Sequence, residues 1–197
     1  MVIANIFGVF LFFYLIWWNL KDDYHYEKVF NLGFIGIFFY LISNLVSRFI
    51  DPIFWFWVTL LLMSLGFVLV VKKQKMKFFE TLEAYFIGLM PWLIFYYLAD
   101  SIKKSNLSSF IAFWVTLIYL FIYFYLKSHY RSFGWYKSGK VGIAGVLTLI
   151  IYFLTRLISS FIYNQTVSFA GRYEYFFSGS VSLLLIILMY NLYKEND

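Results

Sequence analysis

Residues 141–163 read VGIAGVLTLIIYFLTRLISSFIY, an apolar run long enough to cross a bilayer and interrupted by one charge, Arg156. A helix needs roughly 20 apolar residues to span the hydrocarbon layer. Inside lipid the backbone must also satisfy its own hydrogen bonds, which leaves only helices and closed barrels. Comparable runs occupy 2–20, 29–47, 53–71, 84–99, 107–126 and 177–193. They do not alternate polar and apolar residues as barrel strands do. The expectation is an all-α polytopic membrane protein, a bundle of seven transmembrane helices forming a single domain over 1–197. Composition excludes the soluble alternative: the chain is 63% hydrophobic, 26% aromatic and 13% charged, where soluble domains carry roughly 25% charged residues.

The links between runs set the orientation. The opening MVIANIFGVFLFF has neither a basic n-region nor a small-residue cleavage site, so the first run reads as a retained span rather than a signal peptide. Trp17 and Trp18 close it as interfacial anchors. Asp51-Pro52 separates the second and third spans, because proline biases the preceding residue out of the α region. Pro91 is expected to kink span four by freeing the carbonyl of Ile87. Links after spans one, three and five, with the tail, hold eleven Lys or Arg, whereas links after spans two, four and six hold four. The positive-inside rule then places the N-terminus outside and the C-terminus inside. Arg48, Asp51, Asp100, Lys103, Lys104, Arg172 and Glu174 fall at the outer surface, Arg156 falls in the outer half, and His25 and His129 fall inside.

Several chemistries are excluded. Without cysteine there is no disulfide or thiolate. Two distant histidines supply no metal cluster, and no Walker loop, GxSxG or GxGxxG is present. No cofactor is expected. The basic links satisfy the topology rule and touch anionic headgroups, so the partners are membrane lipids and not nucleic acid. Gly33 and Gly36, Ser43 and Ser47, and Gly142 and Gly145 are small pairs suited to close helix packing. Abundant Phe, Tyr, Ile, Lys and Asn beside few Ala suggest an AT-rich bacterial genome, in which Asn164-Gln165-Thr166 matches the glycosylation pattern by chance.

Arg156 is the outstanding residue. A guanidinium keeps its proton, so its place in a span requires snorkelling, a wet cavity or an anionic partner. With Arg48 it makes two outer-side arginines, and arginine is suited to clamp a phosphodiester bidentately.

The order of features resembles the prolipoprotein diacylglyceryl transferase family, which moves diacylglycerol from phosphatidylglycerol to a lipoprotein cysteine. The resemblance rests on YHYEKVFNLGF leading to a span that ends SRF, on KKQKMKFFETLEAYFIGLMP, and on WYKSGKVGIAGVLTLIIYFLTRLISSF with its Tyr152-x-x-x-Arg156 spacing. The family's His-Gly-Gly segment has no counterpart in DPIFWFWVTLLLM, and its R-x-G-N-F signature is replaced by YYLADSI. Ser160 and Tyr163 stand where the family has glutamate and arginine. The resemblance implies a seven-span fold in the bacterial cytoplasmic membrane, with phosphatidylglycerol and prolipoprotein substrates as partners. Of the family's residues Arg156 and Arg48 carry over and would bind the donor headgroup; apart from the resemblance, Tyr96 or Tyr97 is placed to hydrogen-bond a headgroup, and Asp100 or Glu174, as outer carboxylates, would serve as base for the acceptor thiol. A non-catalytic lipid-binding or scaffolding protein, or a small permease, is the alternative.

Overall fold

The computed structural model describes residues 2–51, 54–129, 142–162 and 173–194. Among these the only regular secondary structure is helix, joined by short turns, with no strand. The helices are α1 (Val2–Leu20), α2 (Tyr26–Val46), α3 (Trp55–Gln74), α4 (Phe78–Lys104), α5 (Leu107–His129), α6 (Ile143–Ser160) and α7 (Glu174–Lys194). Six are long and apolar enough to cross a membrane, while the apolar part of α1, Ala4–Leu20, is shorter. The protein is thus a multi-pass helical membrane protein. Pro52, Tyr163, Arg172 and Asn164-Gln165-Thr166 lie outside the described residues.

Local signals account for the ends. Glu27 and Glu80 lie in the first turns of α2 and α4, and Lys72, Lys73, Lys103 and Lys104 in the last turns of α3 and α4. Both placements oppose the helix dipole. Lys75 and Ser105 adopt left-handed conformations that stop α3 and α4. The largest departure from the sequence reading is α4. The segment FFETLE, which the sequence reading leaves in the link before a span at 84–99, forms the first turns of α4, and the helix continues through Pro91 to Lys104. Charged residues there made the apolar run look short, but they lie on a helix whose other face is buried.

α4 and α6 form the centre. Each buries 56% of its apolar window, against 22% for α5 and α7. α4 packs against α1, α5, α6 and, more sparsely, α3, while α2 pairs with α3 and α7 with α6. The interior contains Phe12, Ile16, Phe67, Tyr85, Ile87 and Tyr123, all nearly inaccessible. Phe10, Phe34, Phe38, Leu69 and Phe121 are exposed, as expected where the surrounding solvent is lipid.

The amino end of α6 lies directly on the first turns of α4. Gly142 has φ +51°, and a Cβ there would come 2.7 Å from the Phe79 carbonyl oxygen. A Cβ on Gly145 would meet Glu83 Cγ at 2.5 Å. Glycine at both positions permits the approach.

Candidate functional site

Residues 145, 148, 152, 156 and 160 recur at helical spacing on α6, and all five are buried: Gly145, Thr148, Tyr152, Arg156 and Ser160. The stripe aims a polar seam at the interior of the bundle. Arg156 lies one turn before the end of α6, about 6 Å along the axis. That is close enough to snorkel, yet Arg156 is only 4% exposed. It turns inward to an anionic partner.

The partner is Glu174, the first residue of α7, where a carboxylate also opposes the positive end of the helix dipole. Arg156 Nε and Nη2 donate to Glu174 Oε1 at 3.0 and 2.8 Å. Trp57 Nε1 donates to Oε2 at 2.8 Å, and the Ser178 hydroxyl to Oε1 at 2.5 Å. The guanidinium lies 3.9 Å from the ring centroid of Phe56, with the Trp57 and Tyr152 rings farther off at 5.7 and 5.8 Å. Buried Tyr97, on α4, and Tyr152 bring two phenols into its neighbourhood. The pair is neutral as a unit, and its hydrogen bonds offset the desolvation that either ion alone would suffer.

Phe56 and Tyr152 have a second role. With Tyr40, Thr59, Leu93 and Tyr96 they help wall an apolar crevice of about 70 Å³ where α3 and α4 pack sparsely. Trp55 and Tyr96 stack across this region with centroids 4.7 Å apart. Half-buried Thr59, Leu60 and Leu93 put the crevice in reach of the lipid-facing surface.

Of the residues singled out from the sequence, Arg156, Glu174 and Tyr97 converge. Arg48 does not join them: it is exposed beyond the end of α2, a helix that packs on α3 and α1. Asp100 is buried elsewhere, accepting a 2.7 Å bond from Ser109 and pairing with Lys104 at 2.7 Å.

A second polar cluster, at the other end of α6, escaped the sequence reading. Glu83 Oε2 accepts the Gly145 N–H at 3.3 Å, and the Tyr123 hydroxyl lies 2.9 Å from Glu83 Oε1 and 3.0 Å from Asn19 Oδ1. Lys127 donates to Asn19 Oδ1 and sits 4.6 Å from the Trp18 ring centroid. Asn19, Glu83, Lys127 and Trp18 line a cavity of about 530 Å³, together with Asp22, Asp23 and Glu80. Beside it Tyr24 accepts the Lys77 N–H at 2.9 Å and donates to Glu80 at 3.3 Å. Burial, more than the neighbouring Glu80 carboxylate, pushes the Tyr24 phenol above its usual range. The hydrogen bond and charge of Glu80 raise Lys77 likewise. The hydrogen bonds between helices here join residues 40 to 108 positions apart, and no local spacing announces them.

Among the described residues no three His, Cys, Asp or Glu side chains are arranged to hold a metal ion. Set against known proteins, the chain matches no family model, no curated protein and no solved structure.

Proposed function

We propose that this is a lipid-handling protein that binds an anionic glycerophospholipid, with the headgroup phosphate at Arg156 and only the glycerol-proximal methylenes of one acyl chain in the small α3–α4 crevice, the rest of the chain lying in the bilayer. One observation carries the reading: the buried guanidinium and the apolar crevice share Phe56 and Tyr152 as walls. A charged donor set beside an apolar slot suits an amphiphile better than a wholly polar solute. Intramembrane ionisable residues commonly mark such sites. The resemblance described above extends the proposal to phosphatidylglycerol as the lipid, diacylglyceryl transfer to a lipoprotein cysteine as the activity, and the bacterial cytoplasmic membrane as the location. The two carboxylates considered as a base, Asp100 and Glu174, are both engaged by donors, so lipid binding comes first in the proposal and transfer second.

The test compares phosphatidylglycerol with phosphatidylcholine. Phosphatidylglycerol should raise the melting temperature of the solubilised protein more, by mass action. Arg156→Lys should fold and keep its charge yet lose most of that difference, because an ammonium lacks the planar fork. Purified protein should transfer labelled diacylglycerol to a lipobox peptide, and the Lys variant should be slower by about a hundredfold. Equal stabilisation by both lipids would sink the headgroup reading and favour a scaffold. Binding without transfer would leave a lipid-binding protein.

A further inference from the structure

We propose that the wedge between α1 and α2 holds the acyl tail of a membrane glycerophospholipid, which reaches it from the α3–α4 crevice across a wall made by Tyr40 and Trp92. This rests on the lipid-binding reading above for the place of the headgroup. α1 packs along α4 and α2 along α3, while α1 and α2 touch each other far less. They leave an open recess of about 740 Å³ whose lining includes Trp92 of α4. Of the lining side chains only Asn5 lacks an apolar or aromatic body, and its carbonyl oxygen already accepts the Trp92 indole N–H at 3.1 Å. Such a lining offers little to a polar solute and suits hydrocarbon.

Shape selects the occupant. From Asn5 to Trp17 along α1 the recess runs about 18 Å at the helical rise. One acyl chain fills half of a hydrocarbon layer about 30 Å thick, a comparable length. A helix from a second copy is a cylinder about 10 Å across, and over the same length it would enclose roughly 1,400 Å³, about twice the recess. Only its side chains would enter. The recess also shares one wall with the crevice: Tyr40 and Trp92 line both spaces, their ring centroids 4.1 Å apart. Trp92 is seated against Gly8, where a Cβ would come 2.5 Å from its Cδ1. Pro91, next to it, deprives α4 of one backbone hydrogen bond, which lowers the cost of shifting this turn. A tail leaving the small crevice therefore meets the recess once the two rings part.

The experiment places the full-length protein in phosphatidylcholine vesicles containing photoreactive phosphatidylglycerol, and maps the labelled residues by mass spectrometry. The reactive group sits either near the glycerol or near the end of one chain. Ile6 and Leu41 in the recess, and Leu69 and Phe121 elsewhere on the surface, are all between 57% and 64% exposed, so exposure alone predicts equal labelling. The chain-end probe should label Ile6 and Leu41 about tenfold more than the other two. That excess should saturate and should fall when unlabelled phosphatidylglycerol is added. The glycerol-proximal probe should instead label Thr59 and Leu93 of the crevice. Val9→Trp, which fills the recess, should remove the excess and leave Phe121 unchanged. Competition on the unmodified protein decides the matter even where this variant fails to fold. Labelling of all four surface residues in proportion to probe, without competition, would overturn the tail site; crevice labelling abolished by Arg156→Lys would then leave the headgroup reading standing. Saturable labelling of Ile6 and Leu41, with Thr59 and Leu93 unlabelled and Arg156→Lys without effect, would uphold a tail in the recess and overturn both the passage across the wall and the headgroup reading. A Phe10→Cys variant of this cysteine-free chain that forms disulfide-linked dimers however dilute in lipid would put a second copy in the recess and overturn the lipid occupant.

Discussion

The two ends of α6 handle a carboxylate in opposite ways. Towards its carboxyl end, Glu174 meets a guanidinium between Phe56 and Trp57, and both charged side chains are almost wholly inaccessible. Towards its amino end, Glu83 meets a backbone N–H and a phenol beside a cavity of about 530 Å³. The first arrangement is dry and closed, with each ion depending on the other. The second is open and mixed in charge, and water can replace a lost partner. Charge in this protein is therefore tightly coupled to folding at one end and only loosely at the other.

The largest expected effect tests the dry end. Arg156→Leu or Glu174→Leu alone should cost about 3–5 kcal/mol of folding stability, because each strands the opposite ion in the interior. The double Leu variant should recover most of that loss, since a well-packed apolar pair often equals a buried ion pair. Unfolding of the three variants in detergent or bicelles would show it, and additive losses would refute the coupling. Arg156→Leu should meanwhile ease membrane insertion of this helix by up to roughly 3 kcal/mol, so insertion and folding should move in opposite directions.

A middle-sized effect belongs to the open end but arises from packing rather than charge. Gly145→Ala places a methyl 2.5 Å from Glu83 Cγ and 3.1 Å from its Cα. Because the backbone is near as well as the side chain, rotation of Glu83 alone does not relieve the clash. A loss of about 1–3 kcal/mol should follow, read by thermal unfolding. An unchanged melting temperature would mean that α6 and α4 can part more easily than their contact suggests.

The smallest effect sharpens the contrast. Tyr123→Phe removes the hydroxyl between Glu83 and Asn19, and should cost about 1 kcal/mol in the same assay. Water from the cavity can take over the exposed acceptors. A loss comparable to that of Arg156→Leu would show that the two ends are not different in kind.

The helical architecture was legible because each run is apolar and bounded by charges, tryptophans or proline, and because lipid admits so few backbone solutions. The beginning of α4 was not, since Glu80 and Glu83 interrupt the apolar run while the helix continues beneath them. Arg156 stood out as a lone cation among apolar residues. Its need for an anion was also readable, and Glu174 was one of only three outer carboxylates considered, with Asp51 and Asp100. Choosing among them depends on how α7 lies against α6, a tertiary fact that local patterning does not encode. Arg48 and Arg156 share an expected side of the membrane, but sharing a side does not bring α2 to α6. The cluster around Glu83 was invisible for the same reason: its members come from four helices.

The 27 residues of α4 have one more consequence. At the helical rise they extend about 40 Å, whereas a typical hydrocarbon layer is about 30 Å thick. The surplus must emerge into the headgroups or be taken up by tilt, and a thinner bilayer demands more of the latter. Tilting α4 would carry Glu83, near one end, and Tyr97, near the other, in opposite directions. Reconstitution in lipids of increasing acyl length, with phosphatidylglycerol affinity as the readout, should then show an optimum; an affinity indifferent to chain length would mean the helix simply protrudes. Such an optimum would make α4, the longest helix among the described residues, the route by which membrane thickness reaches the open cavity and the buried ion pair together.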